Sequence, residues 1–305
     1  MATLATAGLS LPNDLVSGVW SKVQTGSALA ALSGQTPMLF GTTQYMKFTA
    51  KPKGEVVAEG ANKSQSQPTF GTVTAIPRKV QVTQRFNEEV QWADDDYQLG
   101  VLQAMADAAG EALARALDLI AFHGINPLTG VALTGSPTKL LDTTNSVEVA
   151  TATPDADLTA AVGLVIADGF TPSGVALDPS FSFALATVND SLGHRLYPDL
   201  GFGVAPTNVL GIDASVSTTV SAPEATIAGG AYATTNPNVK AIVGDYRNAV
   251  RWGVQRDIPV EVIRYGDPDG QGDLKRANQI ALRAEIVYGL AIFDTNAFAK
   301  VINAA

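Results

Sequence analysis

YQLGVLQAMADAAGEALARALDLIAFH, residues 97–123, is the stretch around which the chain is organised. Leu99, Leu102, Ala106, Ala109, Leu113, Leu117 and Ile120 recur at steps of three and four, the apolar stripe of an amphipathic helix. Asp107, Glu111, Arg115 and Asp118 fall on a different face, and Glu111 precedes Arg115 by one turn as a supporting pair. Asp94, Asp95 and Asp96 offer an N-cap and negative charge at the start, and Gly124 a stop. Gly100 and Gly110 each weaken the helix a little. At a rise of roughly 1.5 Å per residue the rod is about 40 Å long. Such a rod needs a surface to lie against.

The chain on either side is unlike this helix. Residues 1–36 are small, polar and weakly periodic; they read as an extended arm with one short helix from Pro12 or Asn13, and Trp20 calls for a surface to cover. Residues 43–86 read as two strands around the loop AEGANKSQSQPTFG, with Gly60, Pro68 and Gly71 as turn signals. Pro77 marks an edge or bulge of the second strand. Between 47 and 89 there are seven Lys or Arg against four Glu. A long polar hairpin has little core of its own, and isolated hairpins are marginally stable. It therefore belongs across another surface. Beyond the helix, 155–168 and 179–193 read as helices. The runs GVAL, TIAGGAYATT and VKAIVGDYRNAVRWGV read as strands, giving a compact α/β unit. Residues 257–293 return to strand, and NAFAKVINAA closes the chain without a strong signal.

Composition narrows the function classes. The 305 residues carry no cysteine, which excludes disulfides, thiolate metal sites and cysteine nucleophiles. No run reaches membrane-span length, and the start has no secretory pattern. Only 16% of residues are charged, well below the usual quarter, as suits equally a chain that buries surface against its own copies and an ordinary Ala- and Gly-rich enzyme from a GC-rich genome. The net charge of −9 is concentrated: residues 142–235 hold ten Asp or Glu and one basic residue, Arg195. The rest balances at zero, and no stretch forms a nucleic-acid groove. Catalytic signals are sparse. His123 and His194 stand 71 residues apart without a metal-ligand partner at helical spacing. His123 ends a helix, where positive charge is favourable. GFGVAP at 201–206 lacks the third glycine of a dinucleotide fingerprint. The loop DPDGQGD offers Asp267, Asp269 and Asp273 as weak candidates for a divalent cation, but Asn278 stands where a calcium loop needs glutamate. No other cofactor is expected.

The order of elements carries a resemblance. VVAEGANKSQSQPTFGTVTAIPRKVQVTQRFNEE (56–89) is similar to the E-loop and exit strand of the major capsid proteins of tailed double-stranded DNA bacteriophages, the HK97-like fold. ALARALDLIAFHG (112–124) resembles the end of that family's spine helix, with its aspartate and closing glycine. GDYRNAVRWGVQRDIPVEV (244–262) and NQIALRAEIVYGLAIFDTNAF (278–298) resemble its Gly-Asp-aromatic and closing strands. The resemblance implies an α+β, HK97-like fold: N-terminal arm 1–42, extended hairpin (E-loop) and exit strand 43–89, and spine helix with the first part of a peripheral domain 90–141. An axial domain 142–243 and returning, mainly peripheral strands 244–305 complete it. It implies a non-enzymatic virion protein, assembled in the bacterial host cytoplasm into hexamers and pentamers of an icosahedral or prolate head. The head encloses double-stranded DNA without sequence recognition, and no membrane is involved. Portal protein, a separate scaffolding protein and a decoration protein are the further partners implied; scaffolding is expected to be separate or absent because the arm follows Met1 directly. Intersubunit contacts are expected from Trp20, Val56, Glu59, Gly60, Lys63, Phe70, Arg78, Lys79 and Arg85. Some relatives join an E-loop lysine to a neighbour's asparagine. Lys63 with Asn278 or Asn296 would be the pair here, but no acid is evident beside them and a non-covalent shell is expected. Two other classes compete: an encapsulin-like nanocompartment shell, which particle contents would separate, and a divalent-metal-dependent soluble α/β enzyme.

Overall fold

A computed structural model describes residues 26–50, 52–97, 100–135, 138–149, 153–190, 192–197, 200, 206–222 and 239–303. Trp20, the helix expected near Pro12 and the strand expected at 226–235 lie outside these residues.

The long helix, α3, runs Val101–Phe122, after the short α1 (Ala28–Leu32) and α2 (Glu88–Tyr97). Its cap differs from expectation. The triple aspartate lies inside α2, and α3 starts instead after Gly100, whose φ of 67° turns the chain between the two helices. The far end is as the sequence suggests: the Gly124 N–H donates to the Ile120 carbonyl at 3.1 Å, with Gly124 at φ 65°. Ala106, Ala109, Leu113, Leu117 and Ile120 form the buried stripe. Asp118, on a face different from the stripe by its spacing, is nevertheless completely buried.

Against α3 lies a four-stranded antiparallel sheet in the order β1 (Thr43–Ala50), β2 (Thr69–Asn87), β9 (Gln279–Ile292), β8 (Val250–Ile263). The Tyr288 hydroxyl donates to the Leu113 carbonyl at 3.0 Å and pins β9 to the helix. Pro77 fits because β1 ends opposite Ala75, so β2 has an open edge where the proline sits. Gly253 of β8 pairs with Gly289 of β9, and the arm crosses over both. The Thr36 N–H donates to the Trp252 carbonyl at 2.8 Å, and Met38 is buried over the two glycines. Gln255 then holds Gly41 through two hydrogen bonds.

The second sheet has six strands in the order β3 (Ser146–Glu148), β10 (Phe298–Ile302), β7 (Val239–Gly244), β4 (Gly174–Leu177), β6 (Ile212–Val216), β5 (Asn208–Val209). Helices α4 (Pro154–Ala167) and α5 (Pro179–Ala186) bring Leu158, Val165, Phe181 and Leu185 onto its apolar residues. Asp178 caps α5, accepting the Ser180 N–H at 2.9 Å, with Pro179 in the first turn. The C-terminal stretch, weak as sequence, is β10, between β3 and β7. Residues 298–302 thus join the sheet that holds β4, β6 and β7. Leu29, Leu113, Phe122, Ile242, Tyr246, Trp252, Tyr288 and Phe298 share one core, joining arm, helix and both sheets.

Candidate assembly interface

The hairpin β1–β2 projects with two unlike faces, because side chains alternate along each strand. Tyr45, Lys47, Val73 and Ala75 share the inner face. Ala75 is buried, and the Tyr45 ring meets Phe293 edge-on at 5.6 Å. Lys47 Nζ donates to Asp294 Oδ2 and to the Phe293 carbonyl, each at 2.7 Å. Beside this anchor is a cavity of about 450 Å³, lined among others by Lys47, Ile76, Arg78, Ile120 and Asp294. The hairpin base is thus held by a few named contacts.

The outer face is apolar and open. Met46, Phe48, Phe70 and Ile76 are 77%, 60%, 55% and 45% exposed. Phe48 pairs directly with Phe70, ring centroids 4.8 Å apart. Sequence reading found Phe70 but not Met46, Phe48 or Ile76. The signal was the alternation Tyr45-Met46-Lys47-Phe48, whose even members are apolar.

Beyond the strands the tip is clamped by polar groups. The Lys53 N–H donates to Ser66 Oγ at 2.8 Å, and the Glu55 carboxylate accepts the Ser64 N–H at 3.0 Å as well as the Ser64 hydroxyl. These bonds hold the Glu55 carboxyl below its ordinary range, the hydroxyl contributing most. At the apex the Ala61 N–H reaches the Ala58 carbonyl at 3.1 Å, and Gly60 takes φ 77° at the turn position that favours glycine. Val56 is fully exposed, and Glu59 and Lys63 are exposed beside it.

The basic candidates further along β2 have partners in their own chain. Arg78 donates to the Thr134 carbonyl at 3.1 Å, and Lys79 pairs with Glu285 at 2.8 Å. Arg85 resolves the acidic loop. Its Nε donates to Asp269 Oδ2 at 3.0 Å, its terminal nitrogens reach Asp269 Oδ1, the Gly272 carbonyl (2.9 Å) and Gln279 Oε1 (3.1 Å), and Asp267 lies 3.4 Å away. That bond holds the Asp269 carboxyl below its usual range. Asp273 accepts the Arg276 N–H at 2.9 Å. Around the weak divalent-cation candidates Asp267, Asp269 and Asp273 the loop thus holds a guanidinium. Among the described residues no group of three or more His, Cys, Asp or Glu is placed to hold a metal ion.

The histidines separate. His194 is exposed, its Nδ1 3.3 Å from Asp190 Oδ2. His123 is buried at the end of α3, its Nε2 3.0 and 3.1 Å from the carbonyls of Thr219 and Val220. Burial, helped by the charge of Lys139, pushes its pKa down to about 4. It is neutral at pH 7 and donates from Nε2, so the expected favourable charge at the helix end is not its role. Asn278 stands at φ 56° with its amide 3.4 Å from Glu89 Oε1, an acid that sequence reading did not find.

A two-faced hairpin with an open apolar face, a long helix at its root and a second, mixed sheet define a structural class of α+β subunit with surface left for a partner. The phage capsid family matches residues 7–302, and the chain belongs to it. A solved structure from Mycobacterium phage Ogopogo is 57% identical, with TM-score 0.84, covering 91% of this chain and 92% of its own. One from Gordonia phage Cozz is 31% identical, with TM-score 0.76, covering 92% and 87%. The capsid of an empty GTA particle shares the fold at TM-score 0.62 and 15% identity, covering 92% and 90%. A comparison with curated proteins found no match. The fold is HK97-like, and the protein is a structural capsid protein of a tailed double-stranded DNA phage that self-assembles into an oligomeric shell. These matches decide for the phage family over the nanocompartment and the metal enzyme. Among the described residues no helix is long and apolar enough to cross a membrane.

Proposed function

We propose that the outer face of the hairpin lies on a neighbouring subunit and straps hexamers and pentamers into a closed head. The observation that carries this is the row Met46, Phe48, Phe70 and Ile76, left in water on a hairpin whose other face is already anchored. Burying one such side chain is worth roughly 1.5–3 kcal/mol. Val56, Glu59, Gly60 and Lys63 on the exposed tip, together with Trp20, are the further residues assigned to contact with the neighbour. Arg78, Lys79 and Arg85 serve first within the subunit, stiffening the strand behind the hairpin. The basic balance of 47–89 and the acidic balance of 142–235 favour encounter between hairpin and neighbour.

In this reading residues 90–141 and most of 244–297 form the peripheral domain, and 142–243 with 298–302 the axial domain. The shell forms in the bacterial cytoplasm and confines double-stranded DNA without reading it. Portal, scaffolding and decoration proteins are the further partners. The test is light scattering and negative-stain imaging of the full chain beside a Met46→Ser/Phe48→Ser/Phe70→Ser variant. Closed shells from the first and dispersed capsomers from the second are expected. Equal shell yield from both would overturn the strap.

A further inference from the structure

The buried Asp118 has no part in the strap, yet two distant segments meet on it. Its Oδ1 accepts the Ser27 hydroxyl at 2.5 Å and the Leu29 N–H at 3.0 Å. Its Oδ2 accepts the Ala28 N–H at 2.9 Å and the Thr219 hydroxyl at 2.7 Å. An ionised carboxylate offers about four acceptor positions. Here the arm fills three and Thr219 one. Ser27, Asp118 and Thr219 are each no more than 2% exposed. Helix α1 therefore starts on a carboxylate of α3, and Ser27 Oγ in turn accepts the Ala30 N–H at 3.1 Å.

The segment 217–222 is gripped on both sides. Beyond the Asp118 bond, the His123 ring meets the Thr219 and Val220 carbonyls. Ser217 lies 2.7 Å from Thr219 through their hydroxyls, and its N–H donates to the Leu177 carbonyl of β4 at 3.0 Å. A connected path runs from the arm through Asp118 and Thr219 to the six-stranded sheet.

We propose that Asp118 is a positioning residue that makes docking of the arm and seating of the 217–222 segment conditional on each other. A buried charge left short of a donor carries the full cost of its desolvation, whereas the complete set is favourable. Losing Thr219 from Oδ2 leaves the carboxylate under-satisfied and loosens its hold on Ala28 and Leu29. Losing Ser27 from Oδ1 weakens the hold on Thr219 by the same free energy, since coupling is reciprocal. No conformational wire is needed: the shared group is one side chain. Under the assembly reading, on which the consequence rests, a subunit whose six-stranded sheet is out of place would present an undocked arm.

Hydrogen exchange on the full chain, read by mass spectrometry, tests this. Thr219→Val should speed exchange at Ala28 and Leu29 by about tenfold, within the roughly 5–150-fold range of coupled sites, although Thr219 is hydrogen-bonded to Asp118, Ser217 and His123 and not to the arm itself. Thr219→Ser should restore the wild-type rates. Ser27→Ala should speed exchange across 217–222 in return, and gives the reading alone if the valine variant fails to fold. Acceleration confined to the segment that carries each substitution would overturn the coupling. The state of the wild-type chain is read separately by sedimentation: a chain that never forms shells would overturn the assembly reading while exchange still decides the coupling.

Discussion

At the scale of single residues, two positions make sharp demands. His123 is neutral in the fold because burial pushes its pKa to about 4, against about 6.5 in an unfolded chain. The depressed value means that its stabilising contribution is complete above pH 6.5 and is lost as pH falls toward 4, by about 3 kcal/mol in all. Burial raises the Asp118 carboxyl against the pull of its hydrogen bonds, so that group runs the other way: its contribution is present at low pH and is lost as pH rises through its folded value. The two are separated by His123→Gln, which keeps an N–H for the Thr219 carbonyl but cannot titrate. Melting of dissociated subunits should fall less between pH 6.5 and 4.5 in the variant than in the wild type; parallel curves would show that the fold does not depress the His123 pKa. Gly253 is demanding for a different reason. A Cβ there would stand 2.1 Å from the Thr36 carbonyl oxygen, so the arm must lift off β8. Gly253→Ala is expected to cost about 1–3 kcal/mol by overpacking. Proteolysis should then reach 35–41 sooner, whereas Gly34→Ala, with open space around it, should change neither.

At the scale of elements, the hairpin is separable from the subunit that bears it. Residues 56–63 lie beyond the Glu55–Ser64 clamp and are almost entirely exposed. Loop closure depends only weakly on length, about 0.6 kcal/mol per doubling. Replacing 56–63 by a two-residue Gly-Ser turn should therefore leave circular dichroism and subunit melting nearly unchanged. Shell yield by sedimentation should fall sharply if, as proposed, the tip contacts only a neighbouring subunit. Loss of subunit folding would instead place the tip in the subunit's own core. How much of this was legible follows from where each signal is local. The stripe from Ala106 to Ile120 and the Gly124 stop are local, and they read correctly. The start of α3 did not, because Asp94–Asp96 cap as well on paper as Gly100 turns in fact, and only tertiary packing chooses the break. The burial of Asp118 was not legible because its donors, at 27–29 and 219, are 89 to 101 residues away. Strand β10 was missed because five residues between partners from 146–148 and 239–244 carry no pattern of their own. The acidic loop offered weak metal candidates beside a tight turn because Arg85, which fills it, is 184 residues from Asp269. Phe70 was found without its partner Phe48, since the strand pairing that joins them is a matter of register.

At the scale of the whole molecule, one core ties arm, helix and both sheets together, leaving the hairpin's outer face as the open surface to which the strap is assigned by proposal. A shell of such bodies can be held by many weak contacts or by covalent links. The geometry bears on the choice. Asn278 has a carboxylate, Glu89, 3.4 Å from its amide, and Lys63 stands exposed on the hairpin tip. An amide, an acid and an amine are the parts a link would need. Two features argue against it. The Asn278–Glu89 contact is exposed, so water competes for the carboxylate, and transfer to an amine is favoured where water is excluded. The apolar outer face already supplies an alternative: with Met46, Phe48 and Phe70 each worth roughly 1.5–3 kcal/mol when buried, every strap gains several kcal/mol without a bond. Mature particles boiled in detergent and reductant should accordingly run as one band near 31.6 kDa. A ladder of multiples would overturn this, and its collapse in Glu89→Gln or Asn278→Ala would place the bond. Wild-type ladders in both variants would place it elsewhere, with Asn296 next to be tried. A single band from particles that resist high salt would leave apolar burial as the force that closes the shell, because exposed ion pairs are screened under those conditions and buried phenylalanines are not.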